Sequence, residues 1–303
     1  MATRVLKANK LKETPGERMF MGLIYTFLSI VLIIVLFPLL NILSSSFSSP
    51  QAVISGQVGL LPVDFSLEGY KAVFRNQNIV SGFMNSMYYT VAGTFINVLL
   101  TIMLAYPLSR KSFAGRGFIM GMLLVTMLFD GGLIPYYLVV KDLNLLDTRW
   151  AMILPTAVAV FQVIVARTFF QSTIPDEICE AAELDGSSDF RFIWSVVLPL
   201  SKPIIAVMTL MYAVGHWNAY FDAMIFLKNQ DLVPLQIVLR NILITNTIDP
   251  SMLSNVDMMT AQSGLKDQLK YALIVVAIVP ILILYPFVQK HFVKGVMIGS
   301  LKG

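Results

Sequence analysis

Residues 19–43 form a stretch of 25 residues without one charged side chain. A bilayer core is crossed by roughly 20 apolar residues in helical form, so the stretch is long enough to span. It is too long for the apolar core of a signal peptide, and the small residues after it, Ser44, Ser45 and Ser46, come too late for a usual cleavage site. It reads as a retained anchor. Five more apolar runs follow, at about residues 80–108, 117–140, 151–170, 203–227 and 271–288. The expectation is an all-α integral membrane protein with six transmembrane helices and both termini on one side. Composition agrees: of 303 residues, 56% are hydrophobic and 13% charged, with a mean hydropathy of +0.74. A soluble domain carries about a quarter of its residues as charges.

Lysine and arginine give the orientation. With the N-terminus inside, the inner segments hold 14 of the 22 cations and the outer segments the other 8. The positive-inside rule then places both termini in the cytoplasm. The outer face has two sizeable polar segments, residues 44–79 and 228–270, suited to capping the bundle or receiving an external partner. Pro38, Pro107, Gly131, Gly132, Pro135, Pro155, Pro280 and Pro286 fall within spans. Backbone groups freed at such sites need protein or water as partners, because lipid offers none. Kinked helices around a cavity use them; a bland anchor does not.

The chain's own chemistry is sparse. Cys179 is the single cysteine, so neither an internal disulfide framework nor a cysteine metal cluster is expected. His216 and His291 show no ligand spacing, and no G-x-x-x-x-G-K-[ST] phosphate loop is present. The net charge of +4 is modest and no basic stripe is interleaved with aromatics, so no nucleic-acid partner is expected.

Residues 172–202, between the fourth and fifth spans, are organised like two short interfacial helices. Thr173 suits a cap, Pro175 a first turn, and Asp176 and Glu177 the positive end of the helix dipole. Ile178, Ala181 and Ala182 are spaced to share a face of little bulk, which lets another protein approach closely. Asp185-Gly186 reads as a helix stop, glycine being free to turn left-handed. Ser187 or Ser188 restarts a helix carrying Phe190, Ile193, Val196 and Val197, and Leu198-Pro199 turns the chain back toward the membrane.

Glu180-Ala181-Ala182, three residues, Gly186, nine residues, then Val196-Val197-Leu198-Pro199 resembles the EAA signature of ABC importer permeases. Val196 in place of isoleucine is the one departure. The resemblance implies the type I importer permease fold, with residues 172–202 as a cytoplasmic coupling segment that docks on an ATP-hydrolysing subunit. Carried over, Glu180 faces a basic group of the ATPase, Ala181 and Ala182 pack closely, and Asp185, Gly186, Leu198 and Pro199 shape the docking surface. It also implies a division into a cytoplasmic tail (1–18), a first helix with its outer segment (19–79), a core permease domain (80–292) and a C-terminal tail (293–303). The implied partners are a second, non-identical permease, a cytoplasmic ATPase dimer and an extracytoplasmic sugar-binding protein, in a bacterial inner or plasma membrane. No cofactor belongs to this chain, ATP and magnesium being held by the ATPase, and no catalytic activity is expected of it.

The rest of the chain is similar to the maltodextrin-type, sugar-importing branch. Ile174-Pro175, Leu184-Asp185-Gly186, His216-Trp217-Asn218, Phe292-Val293-Lys294-Gly295 and the closing Leu301-Lys302-Gly303 carry that likeness. Phe129-Asp130-Gly131-Gly132-Leu133-Ile134-Pro135 and Gly215-His216-Trp217-Asn218 look closest to the subgroup handling complex or acidic oligosaccharides. The residues point the same way. Sugars stack on aromatic faces and bond through hydroxyls, and Trp217, Asn218, Tyr220 and Asp222 offer both at the fifth span. Asp130 is a carboxylate within a span, which must face water, protein or a ligand. Asn85, Tyr88 and Asn97 are polar enough to line a pathway. Each has a structural alternative: belt aromatics for Trp217 and Tyr220, a neighbouring helix for Asn218, a helix end or subunit contact for Asp130, helix–helix contacts for the others. A permease for peptides, an ion-coupled secondary transporter and a membrane-embedded enzyme remain as rival classes.

Overall fold

The computed structural model describes residues 14–245 and 267–286. Phe292, Val293, Lys294, Gly295, Leu301, Lys302 and Gly303 lie outside that range. So do His291, the end of the sixth expected span, residues 1–13 of the N-terminal tail and residues 246–266 of the second outer segment. Every regular element among the described residues is helical. The chain divides into two compact units, residues 1–69 with 258–272 and residues 70–257 with 273–303.

In the first unit, α1 (Pro15–Ser46) contains the charge-free stretch and extends it at both ends. Thr14 opens it with a capping box: its Oγ1 accepts the Glu17 N–H at 3.3 Å, and the Glu17 carboxylate accepts the Thr14 N–H at 2.7 Å. Pro38 is accommodated without a break, and of the whole helix only Ser44, Ser45 and Ser46 are buried. These serines are more than small. Ser44 Oγ donates to the Leu60 carbonyl at 2.6 Å, and Asn41 Nδ2 donates to the carbonyls of Val58 and Gly59. Ser48 Oγ accepts the Val63 N–H at 3.0 Å. Short polar side chains thus satisfy a loop whose backbone has no ladder to join. Gln268 adds to this, its Nε2 donating to the Ser48 carbonyl at 2.7 Å, and α2 (Pro50–Ile54) is the unit's short second helix.

After α3 (Glu68–Arg75), the second unit is built on α4 (Gln77–Ser109), 33 residues capped by Asn76, whose Oδ1 accepts the N–H groups of Asn78 and Ile79. The third expected span is broken: α5 (Arg116–Leu128) and α6 (Leu133–Asp142) meet at 118°. Gly132, at φ +83°, makes that turn in a conformation side chains disfavour. The fourth expected span holds only α7 (Val160–Thr173), preceded by a single 3₁₀ turn, Arg149–Met152, and irregular chain. Pro155 is the reason, having no N–H to continue a helix and disfavouring helical geometry at Leu154.

Next come α8 (Asp176–Leu184), α9 (Asp189–Phe192), a wide π turn (Ile193–Val197) and α10 (Leu198–Leu200). α11 (Lys202–Trp217) then leaves at 82° to Asp189–Leu200. The fifth expected span, 203–227, is therefore helical only to Trp217 and resumes as α12 (Phe221–Phe226). α13 (Leu235–Arg240) and α14 (Asp267–Pro286) follow. By length and composition α1, α4 and α14 are single spans, and counting each bent pair once raises the number to five. The remaining expected crossing, the fourth, at 151–170, has no long helix of its own.

α4 is the hub. α7, α11 and α13 pack on it, and its buried positions run from Ile79 to Ser109. One apolar core gathers Ile102, Ala105, Tyr106 and Leu108 of α4, Val163, Ala166 and Phe170 of α7, and Ile204, Met208 and Tyr212 of α11. Phe192 and Val197 complete it, so the segment after α8 is rooted in the same core that holds the helices. Polar contacts cross it too: the hydroxyls of Thr101 and Tyr212 lie 2.7 Å apart.

Asp147 ties two distant loops. Its backbone is at φ +58°, its N–H donates to the Phe226 carbonyl at 2.9 Å, and its carboxylate accepts the N–H groups of Asn229 and Lys228 at 2.8 and 2.9 Å. The Asn229 amide, then that of Lys228, hold this carboxyl below its ordinary pKa. A depressed carboxyl contributes stability above its unfolded pKa and loses it as pH falls through the folded value. Acidification below about pH 4 is therefore expected to loosen this junction. The thermal midpoint of wild type should fall more steeply between pH 5 and pH 3 than that of Asp147→Asn. Parallel curves would refute the role.

Candidate functional site

The segment from α8 to α10 is the best-defined candidate site. Its first helix begins at Asp176, with Pro175 at the capping position and no side-chain cap. Thr173, expected from the sequence to cap this helix, instead closes α7. The stop is a Schellman arrangement: the Ser187 N–H donates to the Ala182 carbonyl at 2.9 Å and the Gly186 N–H to Glu183 at 3.0 Å. It needs a left-handed residue, and Gly186 supplies φ +74°. Ser188 restarts the chain, its Oγ accepting the Arg191 N–H at 3.4 Å. Leu198-Pro199 does not end this helix, contrary to expectation. Pro199 cannot donate and its ring crowds the carbonyl four residues back. The helix accommodates it by widening into the π turn just before, the Leu198 N–H reaching the Ile193 carbonyl. The bend falls at Ser201.

The faces differ from the sequence expectation in one respect. Asp176, Cys179 and Ala182 are the half-covered positions of α8, and Cys179 and Ala182 pack against the buried core. Ala182 thus faces the bundle, while Glu180, Ala181, Glu183 and Leu184 point away from it. Glu180 makes no hydrogen bond or ion pair among the described residues. Leu184 is 90% exposed, Phe190 86% and Trp194 76%. Three large apolar side chains around a sharp glycine turn are a surface that water does not favour. Phe190 and Trp194 carried no motif, so only their exposure marks them.

Behind this surface, cations close the end of α4. The last carbonyls of a helix lack intrahelical donors, and Pro107 removes another N–H from the final turn. Arg167 Nε donates to the Leu108 carbonyl at 3.0 Å, and Arg116 Nη1 to that of Arg110 at 3.2 Å. Both charges also sit favourably at the negative end of the helix dipole.

The expected pathway residues separate into several settings. Asn85 is buried, its Nδ2 donating to the carbonyls of Asp231 (2.7 Å) and Val233 (3.1 Å). Beside it, the guanidinium of Arg149 lies 4.6 Å from the Tyr88 ring centroid and 3.5 Å from Asn85 Oδ1. Trp217 is 2% exposed; its indole N–H donates to the Ala277 carbonyl of α14 at 2.9 Å and its ring meets Phe83 edge-on. Asn218 and Tyr220 are exposed in the break after α11, and Asp222 is half-buried in α12. Asp130 is exposed between α5 and α6, its Oδ1 accepting the Gly132 N–H at 2.7 Å and so shaping the bend. Asn97 bridges helices: its Nδ2 donates to the Thr156 carbonyl and contacts His216 Nε2, each at 3.1 Å.

The profile of the binding-protein-dependent transport system inner membrane components matches residues 77–298. The chain belongs to that family. The match starts at the first residue of α4, and membership makes the chain a transport subunit in a membrane rather than an enzyme. Among its relatives, the polygalacturonan/rhamnogalacturonan transport system permease protein YtcP of Bacillus subtilis (strain 168) is 41% identical, over 95% of this chain and 99% of YtcP. Protein LplC of the same organism is 40% identical, over 97% of this chain and 98% of LplC. A chain from the crystal structure of a bacterial ABC transporter involved in the import of the acidic polysaccharide alginate superimposes with a TM-score of 0.86. It is 33% identical, and the match covers 93% of this chain and 99% of that one.

Proposed function

We propose that this chain is the permease subunit of an ATP-driven, binding-protein-dependent importer of oligosaccharides, with acidic sugars as the favoured class. The observation that carries the transport reading is the α8–α10 segment, with an outward Glu180 and exposed Leu184, Phe190 and Trp194, on a family member with no phosphate loop. The sugar class rests on the relatives, whose names specify polygalacturonan/rhamnogalacturonan and alginate. Arg149 suits such cargo. It is exposed, it is held by Tyr88 and Asn85, and no carboxylate pairs with it among the described residues.

The mechanism is alternating access. A binding protein delivers sugar to the outer mouth, ATP-driven closure of a cytoplasmic ATPase dimer displaces residues 172–202, and the helices rock so that the cavity changes sides. The chain works with a second, non-identical permease, holds no nucleotide or metal itself, and has both termini in the cytoplasm. Residues 80–292 form the transporting domain. Asn85, Tyr88, Asp130, Asn218, Tyr220 and Asp222 are the pathway candidates. Trp217 acts behind them through its bond to α14.

Co-purification from native membranes tests the reading. A second permease, an ATPase dimer and a binding protein carrying a uronate oligosaccharide are expected in the same complex. Recovery of this chain without an ATPase would overturn the importer reading, and a peptide in the binding protein would overturn the cargo.

A further inference from the structure

We propose that Arg110 is the positioning residue that makes α8 and α4 move as one body, so that displacement of the docking surface reaches the central helix. The proposal rests on the importer reading for its function but on geometry for the clasp itself. Arg110 caps α4 and is only 9% exposed, with every arm of its guanidinium engaged. Nη1 donates to Cys179 Sγ at 2.9 Å and lies 3.7 Å from Asp176 Oδ1, while Nη2 donates to the Ile174 carbonyl at 3.1 Å. Nε donates to Ser109 Oγ at 3.1 Å, and the plane sits 5.1 Å from the Tyr106 ring centroid. One side chain rooted in α4 therefore grips Ile174 in the link that leads into α8, the helix's first residue Asp176, and Cys179 in its first turn.

The grip matters because α8 has little else. It has no fully buried residue, and the apolar groups it sets against the core are the thiol of Cys179 and the methyl of Ala182. A helix whose outward face carries Glu180 and Leu184 is easily displaced when pulled from that side. A planar fork with fixed donor directions resists rotation as well as separation, which the point charge of lysine does not. Lys111, 3.3 Å from the other Asp176 oxygen, is an exposed pair of the kind that contributes little.

The test uses the intact transporter in proteoliposomes, with a radiolabelled galacturonate trimer as cargo. In Arg110→Met the amides of residues 176–184 should exchange about tenfold faster than in wild type, as a helix that has lost its anchor opens locally. Those at the centre of α4 should not change. The ATP hydrolysed per sugar imported should also rise about tenfold, because ATPase docking persists while its movement is no longer transmitted. Arg110→Lys should fall between. Wild-type exchange in α8 with an unchanged ATP-to-sugar ratio would overturn the proposal. If Arg110→Met does not accumulate, Cys179→Val removes one acceptor only, and about threefold faster exchange is expected; none would overturn it. The exchange measurement needs neither ATPase nor sugar. Wild-type protein with no ATP-coupled uptake would sink the importer reading and leave the clasp standing.

Discussion

Glu180→Lys is expected to reduce uptake to background while the chain still inserts and folds. The folding half follows from the structure: Glu180 is exposed on α8, and nothing among the described residues bonds to it. Replacement by lysine therefore removes no internal contact, and helix propensity hardly changes. The functional half follows from the docking proposal. A carboxylate set against a basic group of the ATPase becomes a like charge at the centre of a contact that Leu184, Phe190 and Trp194 help to dry. Mispairing a close interfacial charge costs about 2–5 kcal/mol, or roughly 30-fold and more in affinity. Glu180→Gln keeps the shape without the charge and should lie between. Pull-down of the ATPase and sugar uptake in vesicles measure both halves. Normal ATPase retention in Glu180→Lys would remove Glu180 from the interface, whatever the transport rate.

Gly93→Ala should be the most damaging single methyl in the described bundle. A Cβ at Gly93 would lie 2.4, 2.6 and 2.8 Å from Nε2, Cε1 and Cδ2 of His216, so it meets the imidazole ring broadside. The ring is not free to move. His216 is 7% exposed, and Asn97 fixes it: the Asn97 amide must present its nitrogen to the Thr156 carbonyl, so its second N–H faces Nε2. Nε2 is then the acceptor, and the imidazole is neutral with its proton on Nδ1. Accommodating the methyl means either tilting the ring out of that bond or parting α4 from α11. Overpacking costs about 1–3 kcal/mol and an orphaned buried partner about 1–3 more. The thermal midpoint in detergent should drop by several degrees at least, which for a chain this size corresponds to about 2 kcal/mol or more. Adding His216→Ala opens the space, so the double variant should recover part of the loss relative to Gly93→Ala alone. An unchanged midpoint for Gly93→Ala would mean that the two helices slide freely at this contact.

Both predictions concern the route from the docking surface to the bundle. Glu180 is on the outer face of α8; Arg110 joins α8 to α4; Gly93 and His216 set how closely α4 and α11 approach. Phe192 and Val197 join the same core from the far side of the glycine turn. Movement at the surface thus meets packed contacts throughout.

Membrane residence, the helical class and the glycine stop and serine restart within residues 172–202 are all local properties, and they were legible in the residues. Hydropathy blocks depend only on side-chain transfer energies, and the Gly186 stop and the Ser188 restart depend only on φ preference and a nearby hydroxyl. What was not legible was which polar group meets which. Trp217, Asn85 and Asn97 look alike in sequence as candidates for a sugar path, yet Trp217 bonds Ala277 and Asn97 bonds Thr156, partners 60 and 59 residues away. The sequence marked Gly132 and Pro155 as places where a helix can be disrupted, but not the 118° bend at Gly132, the loss of helix before Val160 or the break after Trp217, because an apolar run has the same hydropathy straight or bent. By itself the sequence determined that the chain lives in a membrane and marked the segment, residues 172–202, for which ATPase docking is proposed. Only the tertiary structure decided which face of α8 is free, that Arg110 is its anchor, and that Gly93 makes room for His216. Those are distances between elements far apart in the chain, and no local propensity contains them.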